Sequence, residues 1–176
     1  RKLLFLPYVF SDGVHSTALY KEMTSGICTA ERKERIMLGT ILLYVGIVLI
    51  SNGLAGVLEV KDKSMVVMNI FTGGLSLVLN IIALGYGVVS NQGMLWFYGS
   101  ATGLLFAFTY LYSAINTIFG FDQRLYGWFS LFVAINAIPA GALCFVGYGG
   151  NWIYGLIWWA WGLLWFTGFL TCGLKK

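Results

Sequence analysis

The sequence predicts an all-α fold, a polytopic transmembrane helix bundle with helical-hairpin repeats. Composition and charge placement carry the prediction. Hydrophobic residues make up 59% of the 176 positions and charged residues only 10%, where a soluble domain carries about 25% charged residues. Mean hydropathy is +0.80. The segments 37–58, 64–121 and 125–174 contain no Asp, Glu, Lys or Arg. Each such charge at the centre of a membrane helix would cost about 2.5–3.5 kcal/mol. A soluble core of this size could not hide so much apolar surface.

A spanning helix needs about 20 apolar residues, and five runs qualify. Span one covers about 37–58. Span two covers about 64–89, with Ser64 as its expected N-cap after the charged turn EVKDK. Span three covers about 94–118, span four about 126–147 after GFDQRLYG, and span five about 152–173, before the closing lysines. The runs are continuous and about twice the length of barrel strands, which would alternate apolar with polar. Glycine is abundant, with 23 residues, as expected where lipid-embedded helices approach closely. A weak repeat places Asn69 before Gly73-Gly74 and Asn136 before Ala140-Gly141 at matching distances.

The first 36 residues differ in kind. They hold ten of the eighteen charged residues and the single histidine, His15. No sustained apolar run or signal-peptide core is present. Met37 stands where the apolar body begins, and Lys33-Glu34 can be encoded by a purine-rich ribosome-binding sequence. The expectation is that 1–36 is a leader or upstream-translated segment and that 37–176 is the membrane domain. Lys61, Lys63, Arg124, Lys175 and Lys176 follow spans one, three and five, while the loops after spans two and four carry no basic residue. The positive-inside rule makes the basic side cytoplasmic, with the start of span one outside.

Several function classes are disfavoured. The basic excess lies in loops and termini, so nucleic-acid binding is not indicated. Cys28, Cys144 and Cys172 match neither a zinc site nor a disulfide framework, and no metal or cofactor is expected. No catalytic set is present: a nucleophile needs an activating base, and the body offers none. With no Asp, Glu, Lys, Arg or His inside a span, proton- or ion-coupled pumping lacks its usual carriers. Passive movement of a neutral solute remains. Leu38, Leu42, Val45, Leu49 and Asn52 share one stripe of span one, Phe106 and Tyr110 one face of span three, and Trp158, Trp161 and Trp165 one face of span five with Leu164 beside them. Spacing alone allows two readings of these stripes, helix packing or a pore wall. As a wall, an aromatic slot admits flat neutral molecules such as urea and small amides, and excludes hydrated ions.

At these residues the sequence resembles the UreI/AmiS family of urea and amide channels. The matching stretches are MLGTILLYVGIVLISNG (37–53), FYGSATGLLFAFTYLYSAIN (97–116), WFSLFVAINAIPA (128–140) and WWAWGLLWFTGF (158–169). The resemblance implies six spans, so a sixth is expected beyond Lys176. It also implies an outward N-terminus, a bacterial inner-membrane location and a homo-oligomeric ring, a hexamer with a pore in each protomer. Members supply urea to cytoplasmic urease or short amides to an amidase. The resemblance implies that the stripes above, Asn52 apart, are the family's constriction positions. Acid-gated members carry His and carboxylates in a long outer loop after span two. Here that loop is Ser90-Asn91-Gln92-Gly93, and neutral residues cannot titrate near pH 5–6, so a channel without acid gating is expected. The leading expectation is a passive urea channel. The alternatives are a short-chain aliphatic amide channel and, in another class, a non-conducting membrane scaffold or sensor subunit.

Overall fold

The computed structural model describes residues 15–148 and 151–174, with side chains from Ile36 onward except Asp62. Helices are the only regular structure among them. They are α1 (His15–Val57), α2 (Val66–Val89), α3 (Met94–Phe119), α4 (Arg124–Phe145) and α5 (Trp152–Gly168), the last running on into a π-turn at Phe169–Gly173. The chain divides into two compact units, 1–40 and 41–176. In the first, α1 already runs from His15, well before the expected apolar start. There the Thr40 hydroxyl donates to the Ile36 carbonyl at 2.9 Å.

Five stretches are long and apolar enough to cross a membrane: Ile36–Val57, Val66–Val89, Met94–Phe119, Arg124–Phe145 and Trp152–Gly173. The shortest have 22 residues, about 33 Å of helix at 1.5 Å per residue, enough for a hydrocarbon layer of about 30 Å. The chain is thus a multi-pass membrane protein. Its outward faces are as apolar as its interior: Ile47 is 46% and Ile50 59% exposed, while Val48 between them is fully buried. Such a surface suits lipid and would aggregate in water.

Helix ends follow local chemistry. Helix α2 begins at Val66 with Met65 at its cap position and no side-chain cap. Ser64, the expected N-cap, instead closes a 3-10 turn, its amide donating to the Lys61 carbonyl at 2.8 Å. The charged turn tightens on itself before the helix can start. At α4, Asp122 accepts from the Arg124 amide at 2.9 Å and from Arg124 Nε at 2.7 Å. These bonds hold the Asp122 carboxyl below the usual carboxylate range. Asn151 caps α5, accepting from the Tyr154 amide at 3.1 Å. Helix α3 stops at Gly120, whose left-handed φ of 66° costs glycine little.

Unit 41–176 is built around two antiparallel hairpins, α2–α3 and α4–α5. In the first, a Cβ on Gly73 would lie 3.0 Å from the Ala107 carbonyl, and Trp96 Nε1 donates to the Ala83 carbonyl at 2.7 Å. In the second, a Cβ on Gly155 would lie 2.9 Å from the Gly141 carbonyl, and one on Gly127 would meet the Gly173 backbone. The repeat noted in the sequence is only approximate. Asn69 reaches across to Asn52 at 3.0 Å, whereas Asn136 bonds its own helix at Phe132. Gly73 makes the close approach in α2 while Gly74 has open space around it; in α4 it is the second member, Gly141. Pro139 lies inside α4 without ending it, as lipid-embedded helices allow.

Candidate functional site

The site starts from Phe106, buried in the middle of α3. Its ring meets three indoles of α5: Trp158 at 5.5 Å, Trp161 at 4.6 Å edge-on, and Trp165 at 4.9 Å between centroids. Trp158 and Trp161 are themselves edge-to-face at 5.6 Å. The spacing of 158, 161 and 165 puts these rings on one face of α5, and Phe106 enters between them. Edge-to-face pairs add about 0.5–1.5 kcal/mol each beyond the area they bury, so the cluster is rigid. Val45 of α1, Tyr110 of α3 and Val133 of α4 belong to the same buried core.

Against this cluster lies a cavity of about 240 Å³ to which all five helices contribute. Helix α1 gives Leu49 and Asn52, and α2 gives Asn69. Helix α3 gives Phe106, Thr109, Tyr110 and Ser113, and α4 gives Tyr126 and Ser130. The α5 segment gives Trp161, Leu164, Trp165, Thr167, Gly168 and Thr171. These positions fall late in α1, α3 and α5 and early in α2 and α4. The cavity therefore lies toward the end of the bundle that carries Lys61, Lys63 and Arg124. Its wall combines aromatic rings with hydroxyl- and amide-bearing side chains, α3, α4 and α5 each giving both kinds. No Asp, Glu, Lys, Arg or His lines it, and no metal-binding cluster occurs among the described residues.

Of the residues singled out in the sequence, Leu49, Asn52, Phe106, Tyr110, Trp161, Leu164 and Trp165 come together on this wall. Trp158 packs behind it within the aromatic cluster, and Val45 is buried in the adjoining core. Leu42 is half-buried away from the cavity, and Leu38 lies in the other unit. The inward stripe of α1 also includes Ile41 and Val48, both buried and absent from the sequence stripe. The polar members Asn69, Thr109, Ser113, Tyr126, Ser130, Thr167 and Thr171 went unrecognised. A signal existed: Thr109 and Ser113 continue the Phe106 face at spacings of three and four, and Thr171 continues the face of Trp161, Leu164 and Gly168. Asn69 had no such signal, because its place on the wall depends on how α2 meets α1.

Comparison with known proteins agrees with this architecture. The AmiS/UreI family transporter description matches residues 37–176. The chain is 47% identical over 164 residues to an acid-activated urea channel of Helicobacter pylori, covering 79% of this chain and 84% of that one. It is 38% identical over 137 residues to a Mycolicibacterium smegmatis protein provisionally named an amidate substrates transporter, covering 77% of this chain and 62% of that one. A crystal structure of the H. pylori urea channel superposes with a TM-score of 0.71 at 50% identity, over 78% of this chain and 82% of that one. The chain belongs to the AmiS/UreI family, whose members are membrane channels and transporters and not enzymes.

Proposed function

We propose that this chain is a passive channel for urea across a bacterial inner membrane, supplying cytoplasmic urease. The observation that carries the proposal is the cavity itself: uncharged, ringed by five helices and walled by Phe106, Tyr110, Trp161 and Trp165. Such a wall cannot replace the hydration shell of an ion, but it accepts a flat neutral solute against ring faces. Without an ionisable carboxylate, His or Lys on the wall there is no relay to couple transport to protons. Leu49, Leu164 and the aromatic cluster form the constriction, with Val45 behind it on α1. The basic loops support a cavity on the cytoplasmic side. The functional assembly is a ring of identical subunits, a hexamer, each with its own pore.

Stopped-flow uptake of urea into proteoliposomes tests this. Tyr110→Ala and Trp165→Ala should each lower selectivity for urea over glycerol about tenfold or more in folded protein. A non-conducting scaffold predicts no urea flux above that of empty liposomes. The short turn at Ser90–Gly93 holds no titratable side chain, so uptake at pH 7.4 and pH 5.0 should agree within about twofold. Strong activation at pH 5.0 would sink the absence of an acid gate. A second reading, a channel for short aliphatic amides, is favoured by the name of the M. smegmatis relative. An acetamide flux well above the urea flux would select it.

A further inference from the structure

The aromatic wall explains how a flat solute fits. It does not explain the polar part of the lining, where two asparagines from different helices meet. Asn52 Nδ2 donates to Asn69 Oδ1 at 3.0 Å. That bond fixes the Asn52 amide and leaves Asn52 Oδ1 buried with no hydrogen-bond partner. Both residues line the cavity. An unpaired buried acceptor is costly, and proteins retain one where a ligand or water completes it.

The hydroxyls around it have a consistent polarity. Thr109 donates to the Leu105 carbonyl at 2.7 Å, Thr167 to the Leu164 carbonyl at 2.7 Å and Thr171 to the Thr167 carbonyl at 3.0 Å. Each has committed its single proton to its own helix, so toward the cavity it offers only lone pairs. These hydroxyls add acceptors to the lining beside Asn52 Oδ1, while its donors come from the Asn69 amide nitrogen and from phenol and indole groups.

We propose that Asn52, held by Asn69, is the specificity-determining acceptor of the cavity and takes an N–H of the permeant. This rests on the channel reading above and deepens it. The site prefers solutes with N–H donors to molecules of the same planar shape without them. Urea and acetamide carry such donors; acetone has the outline of acetamide and none.

The test uses urea uptake into proteoliposomes, with acetamide or acetone present on both sides as competitor. The expected result for the unmodified protein is that acetamide halves urea flux at a concentration where acetone leaves it unchanged. In Asn52→Leu, urea flux should fall about tenfold, the loss typical of one buried hydrogen bond, and acetamide should lose its competitive effect. Equal competition by acetone and acetamide, or by neither, overturns the inference. So does an Asn52→Leu protein in which acetamide still competes as before. If Asn52→Leu does not fold, the competition in the unmodified protein decides alone. An unmodified protein impermeable to urea and acetamide overturns the channel reading and this inference with it. A permeable one in which acetone competes overturns this inference only.

Discussion

The hairpins α2–α3 and α4–α5 do the same structural job by different contacts. In α2–α3, the glycines at 87 and 103 face side chains, the Trp96 ring and the Asn80 amide, while Gly73 faces both the Leu111 side chain and backbone. A polar group joins in: Trp96 Nε1 donates to the Ala83 carbonyl at 2.7 Å, while Asn80 Nδ2 donates within α2 to the Ser76 carbonyl at 2.7 Å. In α4–α5, Gly141 and Gly155 lie against each other's carbonyls and Gly127 against the Gly173 backbone. A side chain can rotate away from an added methyl; a backbone in a helix cannot. The second hairpin therefore has, at Gly127, a contact made with backbone, and it holds the three tryptophans of the aromatic cluster.

That contrast can be broken in order of expected effect. Gly127→Ala should destabilise by about 3 kcal/mol and Gly103→Ala by about 1–2 kcal/mol, measured by thermal melting in detergent. Gly74→Ala, with open space around it, serves as control. Equal losses at 127 and 103 would remove the distinction between the hairpins. Trp96→Phe should cost about 1 kcal/mol for its buried 2.7 Å bond. Trp159→Phe, whose bond to the Ile138 carbonyl is exposed and 3.3 Å long, should cost about half as much or less.

The smallest effect concerns the turn leading into α4. The Asp122 carboxyl is held below its ordinary range by Arg124, so the folded state binds its proton less tightly than the unfolded chain does. The stabilisation is present above about pH 4 and is lost as pH falls through the lowered value. Asp122→Asn should melt slightly lower than the parent at pH 7 and together with it at the most acid pH. A difference unchanged across that range would show that the carboxylate charge plays no part.

The five spans were legible because exclusion of charge from hydrocarbon is strong and local: an unbroken run free of Asp, Glu, Lys and Arg needs no knowledge of its neighbours. Helix starts were less legible. Ser64 has the chemistry of an N-cap, yet the charged residues before it form their own turn. The aromatic stripe of α5 was visible because Trp158, Trp161 and Trp165 are large, few and regularly spaced. The inward face of α1 was harder. Ile41 and Val48 point in while Ile47 and Ile50 point out, and nothing in their hydrophobicity separates them.

The sequence by itself determined that this is a helical membrane protein, which segments cross, and that its interior lacks charges to couple transport to ions. Those properties follow from residue chemistry and helical period alone. Tertiary structure decided which apolar face of α1 turns inward, since lipid and protein interior are equally apolar and leave no signal between them. It also brought Asn69 to Asn52 across two helices and left Asn52 Oδ1 unpaired beside the cavity. That meeting depends on how α1 lies against α2, which the residue pattern along either helix does not set.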